Sequence, residues 1–175
     1  MSGQIEIRRA RPNDADFLVD LLNDGDVRPF LSPRTANERD LVLEEIDRSE
    51  REPTAFGRFV IEVDGERAGS MGFHVGNERS RIARLERLAV HPRFRGRRVA
   101  DEAARRFQRL LLIDLGYHRL EMEIYGFNER AQAHAERVGW VREGRKRRAY
   151  LYGDEWVDSV MYALLRDDLL QDSGA

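Results

Sequence analysis

Residues 85–107, LERLAVHPRFRGRRVADEAARRF, decide the fold. Leu85, Leu88, Ala89 and Val90 read as an apolar strand. His91-Pro92 stops it, because proline cannot donate to a sheet ladder. The loop Arg95-Gly96-Arg97-Arg98-Val99-Ala100 then runs straight into Asp101-Glu102-Ala103-Ala104, a good helix-forming sequence. The first amides of a helix have no intrahelical acceptor and carry partial positive charge. Three arginines in the approach add to that potential. A strand, loop and helix of this kind can hold a phosphate or pyrophosphate. The competing reading is a solvated Arg-rich loop that binds nothing. The loop has neither the Walker Lys-Ser/Thr nor the GxGxxG glycines, so neither nucleotide fingerprint applies.

Composition narrows the classes. A chain of 175 residues is one compact domain by default. With 30 basic and 32 acidic residues the formal net charge is -2. That balance argues against a nucleic-acid partner, which usually meets a basic excess. There is no cysteine, so disulfides, thiolate metal sites and cysteine nucleophiles are excluded. The histidines are His74, His91, His118 and His134, without metal-ligand spacing on a helix, and no metal is expected. The opening MSGQIEIRRARPNDAD has no apolar signal core. No stretch approaches about 20 apolar residues, so no membrane span is expected and the protein is read as cytoplasmic.

Residues 4–8 alternate as a short strand, and Pro12-Asn13-Asp14 opens a helix to about residue 22. Residues 27–35 read as a loop, and 36–49 as a second helix. Residues 58–63 and 67–75 are strands around the hairpin turn Asp64-Gly65. A strand at 81–90 precedes the loop above. A long helix follows over 99–114, with Gly116 past its end. Residues 118–125 alternate again, with Glu121 and Glu123 on one face. Asn128 caps another helix, ended by Gly139. Residues 141–151 and 156–165 form a last hairpin around Gly153-Asp154, and 171–175 read as a frayed tail after a single domain of residues 1–170. The order predicts a mixed α/β (α+β) domain: a mainly antiparallel sheet of about seven strands, helices on both faces, and one splayed parallel pair flanking the long helix.

The loop Arg95 to Ala100 resembles the acetyl-CoA-binding motif of the GNAT-type N-acetyltransferases, Gln/Arg-x-x-Gly-x-Gly/Ala. Arg95 fills its first place and Ala100 its last, but the usual fourth-place glycine is Arg98. Arg98 is either a strained residue or an added phosphate contact. A second stretch, Asn128-Glu129-Arg130-Ala131 to Glu136-Arg137-Val138-Gly139-Trp140, is similar to the family's other signature. The resemblance runs through essentially the whole chain. It points to the branch of ribosomal-protein alanine N-acetyltransferases and spermidine/diamine acetyltransferases.

The resemblance implies acetyl-CoA as co-substrate, held by Arg95, Gly96, Arg97, Arg98, Val99 and Ala100, with Asn128 beside the pantetheine arm. It implies that backbone amides of Leu88, Ala89 and Val90 bind the acetyl carbonyl. It implies acetyl transfer to a primary amine by direct attack in a ternary complex, which suits a chain without cysteine. The tyrosine that many relatives use as general acid is here Ala135. Tyr150 and Tyr152 of the last hairpin are alternatives. Removal of the amine proton needs a carboxylate, and Glu123 and Glu86 are the candidates. Their other reading is the solvated face of a sheet. The acceptor is a protein N-terminus, a polyamine or another small amine. Open sheet edges leave room for a homodimer. Two other functions compete: a non-catalytic acyl-CoA-binding sensor or scaffold, and an anion-binding module using Arg145-Lys146-Arg147-Arg148. That run also suits a protected strand edge.

Overall fold

Asp64-Gly65 sets the first hairpin: both residues have positive φ (52° and 79°), the twist that a two-residue turn between antiparallel strands requires. The strands it joins are β2 (Phe56–Val63) and β3 (Glu66–Asn77). The computed structural model describes residues 3–172. It adds β1 (Ile5–Arg9), β4 (Ile82–Val90), β5 (Arg119–Tyr125), β6 (Val141–Tyr152) and β7 (Glu155–Leu165). The helices are α1 (Ala15–Asn23), α2 (Arg39–Arg51), α3 (Val99–Arg109), α4 (Glu129–Arg137) and α5 (Arg166–Asp172). The strands form a seven-stranded sheet in the order β1-β2-β3-β4-β5-β7-β6. The β4–β5 pair is parallel, and the other recorded registers are antiparallel. The mixed, mainly antiparallel sheet expected from the sequence is therefore the observed one.

The chain divides into two compact units, one comprising the residues up to Val75 with Leu85–Phe107, the other Gly76–Arg84 with the residues from Gln108 onward. Strand β4 contributes to both. In the first unit β2 is the central element. Phe59 and Val60 are adjacent and so point to opposite faces. Val60 packs with Leu18 of α1 and with Val42 and Ile46 of α2. Phe59 lies 5.0 Å, centroid to centroid, from Phe107 of α3, and Phe73 lies 6.0 Å from the same ring. Helices thus cover both faces of this part of the sheet.

In the second unit Ile82, Ala83 and Arg84 pair in parallel with Arg119, Leu120 and Glu121. Strand β7 lies between β5 and β6. Helix α4 ends at Gly139, whose φ of +94° is the left-handed stop expected for a glycine after a helix. Ala135, Val138 and Trp140 are buried there.

Two expectations change. The helix predicted over 99–114 is α-helical only to Arg109. Leu110–Asp114 is a π turn, in which Leu115 N–H bonds the Leu110 carbonyl five residues back. The wider turn keeps neighbouring Leu111 and Leu112 both fully buried. After β7 the chain continues as α5, which takes in Gln171 and Asp172 of the expected tail. Residues 173–175 of that tail lie outside the described residues. No helix among the described residues is long and apolar enough to cross a membrane.

Asp14, fully buried, ties β1 to β3. It accepts hydrogen bonds from Arg8 at 2.7 and 3.0 Å, from Arg67 at 2.6 Å and from Arg11 N–H at 2.8 Å. Burial alone would raise its pKa, but these donors outweigh it, Arg8 foremost, and hold it at about 2. A depressed carboxylate stabilises the fold above its unfolded pKa, and that stability is lost as the pH falls through the folded one. Asp14→Asn is expected to cost about 2 kcal/mol at pH 7 in urea unfolding. The difference from wild type should close as the pH drops from about 4 to about 2.

Candidate active site

The loop before α3 turns through two left-handed residues, one of which is not a glycine. Gly96 has φ +76° and Arg98 φ +56°. The left-handed conformation is therefore kept at Arg98 without a glycine, at a cost on the order of 1 kcal/mol. Arg98 carbonyl accepts the first helical bond, from Glu102 N–H at 3.1 Å. The amides of the first turn therefore point back toward the loop, as at any helix N-terminus. Val99 is buried and anchors the turn, while Gly96, Arg97 and Arg98 are exposed. A Cβ on Gly96 would meet no atom within 4 Å. These features, exposed cations beside a helix N-terminus, fit a pyrophosphate. Arg95 is the exception: its guanidinium donates to the Asp26 carbonyl at 3.2 Å and lies 3.6 Å from the Asp26 carboxylate.

A cleft of about 660 Å³ adjoins the preceding segment and is lined by His91, Arg93, Phe94, Asp24, Arg8 and Arg67, among others. Its arginines are already engaged: Arg93 with Glu66, Arg67 with Asp14, and Arg8 with Asp14 and Glu62.

Upstream, β4 breaks its own alternation at Arg87, whose φ is +63°. Neighbouring side chains of a regular strand face opposite ways. Here Arg87 Nη2 lies 3.2 Å from Glu86 Oε1. Arg87 Nη1 also pairs with Glu45 of α2 at 2.7 Å, and Glu45 lies 3.4 Å from Arg58 of β2. Arg58 is completely buried, and its three nitrogens make no hydrogen bond. Burial, and then repulsion from Arg87, lower its pKa to about 10. Gly72 stands opposite Arg58 on β3, and a Cβ there would lie 2.9 Å from the Gly57 carbonyl. His74 Nδ1 is 3.8 Å from Glu86 Oε2. Burial pushes the Glu86 pKa up, but His74, Arg87 and Arg58 together hold it below the ordinary carboxylate value. Just beyond, Leu88, Ala89 and Val90 close the strand, with Leu88 exposed and Ala89 buried.

In the second unit Glu123 of β5 stands at the centre of a polar cluster. Its Oε1 accepts from Lys146 Nζ at 2.5 Å. Its Oε2 accepts from Tyr150 OH at 2.7 Å and Ser159 Oγ at 2.8 Å. Burial favours the neutral acid, but the three donors prevail and keep Glu123 ionised below the usual range. Tyr150 is pushed up to about 12, first by burial and then by its bond to Glu123. The cluster depends on a bulge. Lys146 pairs with Ser159 and Tyr150 with Val157, so β6 spends four residues where β7 spends two. Asp158 pins the extra residues, accepting from Arg148 N–H at 2.8 Å and Arg145 at 3.2 Å. Tyr125 and Phe127 stack at 5.2 Å beside Tyr150 and Tyr152.

Asn128 is the cap its position predicts, its Oδ1 accepting from Ala131 N–H at 3.1 Å. Ala135 is fully buried. The sequence names Glu123, Glu86 and Tyr150 as candidates, and the structure adds Lys146 and Ser159 beside Glu123 and His74 and Arg87 beside Glu86. In the sequence Lys146 belongs to a basic run, and Arg58 is the first residue of the strand expected over 58–63. The signals were present: Lys146 is the only lysine, and FGRFVIEV is a buried-strand pattern with one cation in it. No group of acidic or histidine residues among those described could hold a metal ion.

Comparison with known proteins bears on the fold and the family. The chain is 24% identical over 169 residues to a prophage-derived uncharacterized N-acetyltransferase, YokL, of Bacillus subtilis, covering 94% of this chain and 91% of that protein. The fold is shared with a spermidine N-acetyltransferase of Vibrio cholerae in complex with CoA and spermine, with TM-score 0.84, 21% identity, and coverage of 95% of this chain and 98% of that one. A probable acetyltransferase aligns with TM-score 0.77 and 22% identity, over 93% of each chain. The acetyltransferase (GNAT) domain model matches residues 4–141, and the chain therefore belongs to that family.

Proposed function

We propose that this acetyltransferase moves an acetyl group from acetyl-CoA to a primary amine by direct attack, with no acyl-enzyme. The observation that carries the reading is the Glu123 cluster: its carboxylate already binds one primary ammonium, that of Lys146. An acceptor ammonium needs the same recognition, because a free amine is largely protonated at pH 7. Glu123 takes the proton from the acceptor, directly or through water. Glu86 is the other candidate for that proton. The rings of Tyr125, Phe127 and Tyr152 suit the carbon chain of an amine such as a polyamine, and the spermine held by the Vibrio cholerae relative supports that class.

Acetyl-CoA supplies the activated thioester. The amides of Val99 and Ala100, with Gly96, Arg97 and Arg98, hold its pyrophosphate. Backbone groups of Leu88, Ala89 and Val90 orient the carbonyl and stabilise the charge that develops on its oxygen. Asn128 lies beside the pantetheine arm. With Ala135 buried, that position supplies no acid. Tyr150 is poorly acidic at about 12 and already donates to Glu123, so the departing thiolate takes its proton from water. A protein N-terminus remains the alternative acceptor.

Calorimetric titration with acetyl-CoA, followed by thiol-release assays over a panel of amines, tests the reading. Micromolar binding and turnover on a primary amine support it. Absence of acetyl-CoA binding overturns it. Glu123→Gln should lower kcat by about 100-fold or more, with acetyl-CoA affinity unchanged. Arg98→Gly separates two effects. Relief of the left-handed residue should raise stability by about 1 kcal/mol in urea unfolding. Loss of the guanidinium should weaken acetyl-CoA binding about threefold, and less at high salt.

A further inference from the structure

Lys146 is the single lysine of the chain, and every other basic residue is arginine. Its ammonium sits 2.5 Å from the carboxylate to which the reading above gives the acceptor's proton. Two features show that the contact is built. The β6 bulge brings Lys146 and Tyr150 to one carboxylate, and the Asp158 bonds to Arg148 and Arg145 fix the bulge on both sides of the lysine. The three donors also divide the carboxylate between them: Lys146 alone holds Oε1, while Tyr150 and Ser159 share Oε2. The lysine side chain is 46% exposed, so its nitrogen is reachable. Arginine would satisfy the same ion pair and cannot act as an amine nucleophile. At the one place where a side-chain amine meets the proposed base, the chain carries an amine.

We propose that Lys146 is a self-acetylation site. The inference rests on the role given to Glu123 above. Glu123 takes one proton from the Lys146 ammonium. The freed lone pair on Nζ forms an N–C bond to the thioester carbonyl carbon of acetyl-CoA, the C–S bond breaks, the nitrogen sheds its second proton through water to the departing coenzyme A thiolate, and Glu123 returns its own proton to solvent. The product is a neutral N-acetyl-lysine. It no longer pairs as a cation with Glu123, so Oε1 becomes available to an external ammonium.

The test uses the purified full chain with acetyl-CoA and no added acceptor, read by intact mass and by fragmentation. The expected result is the gain of one acetyl group, located on Lys146, at a rate independent of protein concentration. The gain should be absent in Lys146→Arg and slower by about tenfold or more in Glu123→Gln, which keeps an acceptor oxygen for Tyr150 and Ser159. Equal rates in Glu123→Gln or in the heat-unfolded chain overturn the proposal, because the reaction is then ordinary acylation of an exposed lysine. Acetylation confined to the N-terminal amine overturns it as well. Thiol release on the amine panel, run in parallel, separates the two readings. Turnover on an amine with Lys146 unmodified removes this inference and leaves the proposed function standing. Failure to bind acetyl-CoA removes both.

Discussion

Strand β2 is buried on both faces for nearly its whole length, and much of the first unit follows from having to cover it. Phe59 calls for an apolar partner on one side, which α3 supplies through Phe107. Val60 calls for one on the other, which α1 and α2 supply. Arg58 sits in the same strand and cannot be covered by apolar side chains alone. A buried cation is costly unless it is paired. Glu45 of α2 faces it, and Arg87 shares that carboxylate. For Arg87 to join, β4 must abandon its alternation, which it does at a positive φ. A sequence choice in one strand thus reaches the strand that carries the proposed carbonyl-binding backbone.

The carboxylates of the molecule are used in two different ways. Asp14 is closed in by arginines from β1 and β3 and works as a structural tie. Glu123 is also saturated, but by a lysine, a phenol and a hydroxyl, groups that exchange partners readily and reach it from a surface strand. Both are held ionised by the same physics, donors outweighing desolvation. Only the second leaves a route by which one donor can be replaced by another.

Much of the fold could be read from local signals. Asp64-Gly65, the alternation of residues 118–125 and the Asn128 cap each state their conformation within a few residues. The loop at Arg95–Ala100 was legible for the same reason, down to the question of whether Arg98 would be left-handed. The break at Arg87 in β4 and the Lys146–Tyr150 bulge in β6 were not, because neither is marked by a glycine at the irregular residues: they are held by Glu45 and Asp158 from other elements. The contacts of Arg87 with Glu86 and of Lys146 with Glu123 go with those irregularities and were hidden with them. The π turn after α3 was unreadable on similar grounds, since an α-helix and a π turn share the same apolar residues and differ only in what must be buried.

The arginine-rich surface has a consequence of its own. A protein that works on amines with an activated acetyl donor exposes its own side chains to that donor for as long as it functions. Guanidinium groups stay protonated and present no neutral amine, so a surface built from them is inert to thioesters at neutral pH. By drawing its positive charge almost wholly from arginine, the chain keeps solubility and ion pairing without offering a field of competing nucleophiles. The same trait makes it a convenient object for chemistry, because any reagent directed at lysine finds one address.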